Sequence, residues 1–126
     1  MKKLIVAFAG LLLALPLQAF AQQIVPNSPK RVLNVVEPIV IGTQTVAAGE
    51  YTFQCVMIDG REYLLVTSPR TGTQIARVPC TPSSLTSKAT VSLYETVPGP
   101  GGSRVLKSVQ LKGEAVAHNV VGVSAS

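Results

Sequence analysis

The side chains best suited to nucleophilic or metal chemistry are few in this sequence and lie far apart. The 126 residues include two cysteines, Cys55 and Cys80, and one histidine, His118. Structural zinc sites are usually recognised in a sequence by closely spaced pairs of cysteine and histidine residues, and this sequence has no such pair. The sequence therefore predicts no metal site and no cofactor.

The two cysteines favour a disulfide if the chain is exported. A bond between Cys55 and Cys80 would close a loop of about 25 residues and contribute roughly 3 kcal/mol. In a flat meander their Cα atoms would lie roughly 14 Å apart, beyond the limit of about 7 Å for a disulfide. The bond therefore requires a sharp turn at Pro79 that folds Cys80 over the core. A free buried pair and a bond between two molecules are the alternatives.

The sequence carries no recognisable catalytic motif. His118 has no serine or cysteine motif beside it, and Glu114 is the only acid within a few residues. A nucleophile elbow, a phosphate-binding loop, a dinucleotide fingerprint and a zinc-protease motif are all missing. The six acids are singly placed: Glu37, Glu50, Asp59, Glu62, Glu95 and Glu114. We expect His118 to be a structural residue on a C-terminal strand and the protein not to be an enzyme; a weak enzyme built on His118 is the alternative.

The net charge of +5 raises the question of an anionic partner. After residue 21 the basic residues are dispersed, and Lys30-Arg31 is their only adjacent pair. The four aromatic residues of that part are too few for a base-stacking platform. We therefore expect no nucleic-acid partner. If a basic contact surface exists, Arg61, Arg70 and Arg77 are its best candidates.

The first 21 residues have the pattern of a cleavable signal peptide. Lys2 and Lys3 precede an apolar run over 4–17, and Ala19-Phe20-Ala21 forms an A-x-A cleavage site. The run is shorter than the roughly 20 residues that span a bilayer, and no later stretch is long enough. The pattern predicts a periplasmic or secreted protein without a transmembrane segment after cleavage. Removal of Lys2 and Lys3 lowers the net charge to +3.

The remaining 105 residues favour an all-β fold. Valine, isoleucine and threonine supply 32 of them, and β-branched side chains pack well on pleated sheets. Glycine and proline fall between the β-rich runs, where turns are required. We expect a flexible leader over 22–30 and a single all-β domain over 31–126. About seven or eight antiparallel strands would form a β-sandwich or a small barrel.

The strongest local pattern is a hairpin centred on Asp59-Gly60. Both central residues of a type I′ turn need positive φ, which Asp and Gly tolerate. A two-residue turn fixes the register, so Cys55 opposes Leu64 and Phe53 opposes Val66. These four side chains then share the core face, with Met57 at its end. Further along, Pro79 is expected to end a strand, and Thr81–Lys88 to connect two sheets.

The segment from Val40-Ile41-Gly42 through Ala48-Gly49-Glu50-Tyr51-Thr52-Phe53 resembles a known pattern. That pattern, V-G-x-x-x-L-P-A-G-x-Y-x-V, occurs in small secreted β proteins of acidobacteria and related soil bacteria. Val46-Ala47 stands here in place of Leu-Pro. The resemblance implies a single β-sandwich behind a signal peptide, without an assigned activity.

These features together predict an exported, non-catalytic β-sandwich that acts as a binding or structural module. Its partner would be a protein or polysaccharide of the envelope or the extracellular space. The alternative is a small periplasmic inhibitor of a hydrolase. Such an inhibitor would present a rigid loop at Cys80–Ser84 to the enzyme.

Overall fold

The computed structural model describes residues 23–123, and this part of the chain is all-β, as predicted. The predicted signal peptide over 1–21 lies outside the described residues. The strands are β1 (Ile24–Pro26), β2 (Arg31–Val35), β3 (Ile39–Ile41), β4 (Gln44–Val46), β5 (Gly49–Ile58), β6 (Arg61–Thr67), β7 (Gln74–Ser84), β8 (Leu93–Pro98), β9 (Arg104–Gln110) and β10 (Val116–Val120). A 3-10 turn at Pro100–Gly102 joins β8 to β9.

The strands form one mixed sheet that curls into a half-barrel. Their order is β1, β5, β6, β7, β10, β9, β3 and β4, while β2 also pairs with β5 and β8 with β9. Within residues 23–123, β3 and β9 form the one parallel pair. The ten strands exceed the predicted seven or eight partly because three of them have only three residues each.

The hairpin of β5 and β6 has the predicted turn and register. Asp59 and Gly60 have φ angles of 50° and 78°, which are the positive values that a type I′ turn needs. Cys55 opposes Leu64, and Phe53 opposes Val66. Because directly opposed residues project from the same face of a sheet, these four side chains lie together on the inner face.

Strand β7 differs from its prediction because it continues through Pro79 as far as Ser84. Pro79 is the last residue of β7 that faces β6, and Cys80 is the first that pairs with β10. The proline therefore lies where β7 changes partners, and its carbonyl accepts a hydrogen bond from the Val121 N–H at 3.0 Å. The predicted connection at Thr81–Lys88 is strand as far as Ser84, and the Cys80–Ser84 segment, expected as a loop in the inhibitor alternative, lies entirely within β7; both expectations were wrong in this respect.

The segment at 22–30, expected to be a flexible leader, contains strand β1 in its described part. β1 pairs with the C-terminal half of β5. The Asn27 N–H then donates to the Cys55 carbonyl at 2.9 Å, and the Cys55 N–H donates to the Ser28 hydroxyl at 2.9 Å. These bonds hold the segment against β5 beside Cys55.

Curling encloses one apolar core on the inner face of the sheet. Its buried members come from both halves of the sheet: Leu33, Val35, Ile39, Ile41, Val46, Phe53, Cys55, Leu64, Val66, Ala76, Val78, Cys80, Leu106, Val109, Leu111 and Val120. Both cysteines thus belong to the core. Over the residues that the structure describes, no helix has the length and apolar character needed to cross a membrane.

Candidate metal centre

Four side chains that could bind a metal converge on the inner face of the half-barrel. They are Cys55 on β5, Glu62 on β6, Cys80 on β7 and His118 on β10. One donor atom from each lies within 4.8 Å of the donor atoms of the other three. Four strands that are neighbours in the sheet therefore each contribute one group to a single cluster.

Strand registers explain why these four side chains point to the same place. Met57 opposes Glu62, so Glu62 shares the inner face with Cys55, two residues earlier on β5. Val120 opposes Cys80, which places His118 on that same face of β10. The alternation of the strands therefore directs all four groups inward.

Sheet curvature brings the two cysteines together. Leu64 opposes both Cys55 and Val78, so Cys80 lies two strands and two residues away from Cys55. In a flat sheet this offset corresponds to roughly 12 Å between Cα atoms. On the concave face of a curled sheet side chains converge, and here the sulfur atoms lie within 4.8 Å of each other. The sequence-based expectation of no metal site assumed that residues distant in the chain stay distant in the fold.

The predicted disulfide is not formed in the structure. Cys55 and Cys80 are free thiols, 0% and 4% exposed, and their sulfur atoms are not at bonding distance. Of the alternatives considered for the sequence, the free buried pair describes this arrangement. Two adjacent buried thiols leave two sulfur donors available to a metal ion.

The imidazole of His118 is oriented for ligation. Its Nε2 lies 2.8 Å from Glu114 Oε1, a hydrogen bond in which the ring nitrogen donates to the carboxylate. Its Nδ1 faces the cluster, 3.8 Å from Glu62 Oε1, and has no hydrogen-bond partner among the described residues. The side chain is only 2% exposed, so water has little access to that nitrogen. A carboxylate on the far nitrogen is the usual outer partner of a metal-binding histidine.

Glu114 owes its position to the turn between β9 and β10. Its N–H donates to the Leu111 carbonyl at 3.1 Å, and its carbonyl accepts from the Ala89 N–H at 2.9 Å. Since His118 follows four residues later on β10, the turn fixes the carboxylate beside the ring. The backbone on both sides thus determines which nitrogen of His118 faces the cysteines.

Hydrogen bonds also connect Cys55, Glu62 and Asn27. The Cys55 thiol donates to Glu62 Oε1 at 2.8 Å, and Asn27 Nδ2 donates to the same oxygen at 3.2 Å. Asn27 Nδ2 also lies 3.5 Å from the Cys55 sulfur. The amide of Asn27 can therefore stabilise negative charge on either group.

Two groups of the cluster have strongly raised pKa values. The adjacent Cys80 thiol, followed by burial, raises the pKa of Cys55 far above its usual range. Burial acts to lower the pKa of His118, but contacts with Cys55 and Glu114 together outweigh it and raise that pKa to about 9. Both groups therefore carry protons at neutral pH in the metal-free protein. A metal ion that binds here must displace these protons.

The cluster fits the geometry of a tetrahedral zinc site. Zinc bonds of about 2.3 Å to sulfur and about 2.0–2.1 Å to nitrogen or oxygen place ligand atoms roughly 3.4–3.8 Å apart. The His118 Nδ1 to Glu62 Oε1 distance is 3.8 Å, and no pair of donor atoms exceeds 4.8 Å. The shorter contact of 2.8 Å between Cys55 and Glu62 is a thiol hydrogen bond, which ends when the thiol loses its proton.

The three arginines predicted as a possible basic surface do not form one compact group. Arg61 begins β6 and Arg70 follows its end, and the seven-residue strand from 61 to 67 is itself about 20 Å long. Arg77 lies on β7 with its guanidinium 5.4 Å from the centre of the Tyr63 ring. All three are exposed, and none belongs to the cysteine cluster.

Sequence reasoning did not identify Glu62, Glu114 or Asn27 as members of a site. For Glu62 a signal was present, because the predicted hairpin register places this acid on the apolar face next to Cys55. For Glu114 the signal was its position four residues before the only histidine. For Asn27 the sequence contained no signal, because no local pattern indicates that the segment before residue 30 packs beside Cys55.

Comparison with known proteins identifies no relative of this chain. No protein-family model matches it, and neither curated proteins nor solved structures give a significant match. Function therefore has to be argued from the site itself.

Proposed function

We propose that this protein is an exported, non-catalytic β-domain that binds one zinc ion through Cys55, Cys80, His118 and Glu62. One observation carries the proposal. His118 is buried, its Nε2 is held by Glu114, and its Nδ1, which makes no hydrogen bond within residues 23–123, faces two thiols and a carboxylate. A buried polar atom without a hydrogen bond is costly, and a metal ion at the centre of the cluster satisfies it.

The combination of donors favours zinc over other common metal ions. Thiolates select against magnesium and calcium, which prefer oxygen ligands. Two thiolates, one imidazole and one carboxylate make a four-coordinate set that zinc accepts without any geometric preference of its own. The carboxylate of Glu62 further favours a divalent ion over monovalent copper.

Export is supported by the basic start, apolar run and A-x-A site of residues 1–21. In an oxidising compartment two adjacent free thiols are at risk of forming a disulfide. Bound zinc would keep them as thiolates. The role as a binding module would therefore be the retention of zinc in a compartment where free thiols are scarce.

Metal titration of the mature chain, residues 22–126, tests this proposal. Under reducing conditions the protein should bind one zinc ion, and Co²⁺ should give sulfur-to-metal charge-transfer absorption. C80S and H118Q each remove one ligand and should weaken zinc binding at least about tenfold. E95Q, which changes an exposed acid paired with Lys107, is the matched control and should bind normally. Unchanged affinity in both ligand variants would overturn the proposal.

A further inference from the structure

A cavity of about 610 Å³ lies against one side of the proposed zinc site. Glu62 and Cys80 are part of its wall, whereas Cys55 and His118 are not. The cavity therefore borders the Glu62 and Cys80 side of the cluster, although Cys80, like Cys55 and His118, is buried. Its volume is in the range of small-molecule sites.

The remaining wall of this cavity is largely apolar. Met57, Pro79, Pro82 and Val121 contribute most of it, and Asn27, Arg61 and Thr81 add polar groups. Val121 is 52% exposed although it is a large aliphatic residue. An apolar wall that ends at a thiolate-rich metal suits a ligand with an apolar body and one soft donor atom.

Glu62 is the ligand that such a molecule could replace. It lines the cavity, and a carboxylate binds zinc less strongly than thiolates do. Its contact with Cys55 is a hydrogen bond from the thiol, which is lost once Cys55 is deprotonated by the metal. The Asn27 amide then remains as its partner, at 3.2 Å.

Building on the proposed zinc site, we propose that this cavity binds a small organic thiol with an apolar body, whose sulfur takes the place of Glu62 on the metal. A zinc–sulfur bond forms and the zinc–oxygen bond to Glu62 breaks. The thiol proton passes to the released carboxylate or to solvent, so no oxidant or reductant is needed. The apolar body lies between Met57 and Val121.

Three probes added to the Co²⁺-loaded mature chain separate the contributions of the donor and of the apolar body. 1-Butanethiol has a thiol and an apolar body. 2-Mercaptoethanol has a thiol and a polar body, and 1-butanol has an apolar body but no thiol. 1-Butanethiol should increase the sulfur-to-cobalt charge-transfer absorption and bind at least about tenfold more tightly than 2-mercaptoethanol. 1-Butanol should leave the spectrum unchanged.

A substitution that fills the cavity provides the second measurement. V121W should weaken 1-butanethiol binding at least about tenfold while Co²⁺ binding remains. V91W is the matched control, because Val91 is also exposed but lies outside the cavity wall. Equal binding of the two thiols, extraction of Co²⁺ by them, or no effect of V121W would overturn the ligand proposal. If the protein does not bind Co²⁺ before any probe is added, the zinc proposal has failed instead.

Discussion

His118 is the residue on which the proposed metal centre depends most closely. A single imidazole can present only one nitrogen to the cluster, and the hydrogen bond from Nε2 to Glu114 decides that this is Nδ1. The ring is buried and cannot turn toward water to satisfy the other nitrogen. The fold therefore fixes the orientation of the His118 ring in the absence of a metal.

Loss of the Glu114 carboxylate should weaken zinc binding although Glu114 is not a ligand in the proposed site. In E114A the ring of His118 loses the partner that fixes its orientation and increases its basicity. We expect zinc affinity to fall by about 10- to 100-fold, as measured by competition with a chromophoric chelator. E95A serves as the control for removal of an acid. Affinity equal to that of the wild type would show that Glu114 does not position the ring.

Zinc affinity should increase steeply with pH. Cys55 and His118 have raised pKa values and hold protons at neutral pH, yet both bind metal only in their deprotonated forms. Each displaced proton makes affinity about tenfold stronger per pH unit, and the two thiols, Cys55 and Cys80, together with the His118 ring give up three, so the slope approaches about 1,000-fold per pH unit. Chelator competition at several pH values below 9 measures this slope. In H118Q the slope should correspond to one displaced proton fewer. A slope of zero in the wild type would show that metal binding displaces no protons from the cluster.

At the level of elements, the hairpin of β5 and β6 shows what a local pattern can determine. Its turn needs positive φ at both central residues, and the two-residue length of the loop leaves one register. That register carries Cys55 and Glu62 to the same face, since Met57, two residues after Cys55, opposes Glu62. The hairpin thus places two of the four side chains of the proposed metal centre by local rules alone.

Gly60→Ala should destabilise this hairpin. Gly60 has φ 78°, and no atom lies within 4 Å of the position that an added Cβ would take. Backbone strain is therefore the main effect, and we expect the free energy of unfolding in urea to fall by about 1 kcal/mol. D59N is the control, because asparagine also tolerates positive φ and should leave stability nearly unchanged. Equal stability of G60A and the wild type would mean that the turn relaxes to another type.

The all-β class and this hairpin were predictable because alternation and turn residues are local properties. Strand β7 was predicted only to Val78, since Pro79 was expected to interrupt the ladder, and Pro82 follows within the observed strand. They are tolerated here in a strand that changes its hydrogen-bonding partner between β6 and β10. Local patterns do not encode that change of partner, so the meeting of Cys80 with His118 could not be predicted.

In the molecule as a whole, the cluster proposed to bind zinc links strands from both parts of the half-barrel. Cys55 and Glu62 belong to the β5–β6 hairpin, whereas His118 is on β10 beyond β7. A zinc ion at the cluster would therefore connect residues 63 positions apart in the chain, from 55 to 118. Zinc that binds the folded state but not the unfolded state would stabilise the fold, by about 4 kcal/mol when free zinc is 1,000 times the dissociation constant.

Oxidation of the thiols and zinc binding should exclude each other. Hydrogen peroxide converts two thiols to one disulfide and two waters, and the sulfur atoms of Cys55 and Cys80 are within 4.8 Å. In the metal-free protein this reaction should remove two free thiols and lower the mass by 2 Da. The oxidised protein should no longer bind zinc. Zinc-loaded protein should oxidise at least about tenfold more slowly, because its thiolates are occupied by the metal. Thiol counting and mass spectrometry over time measure both rates. Equal rates with and without zinc, or full zinc affinity after oxidation, would show that the two cysteines are not joint ligands of the metal.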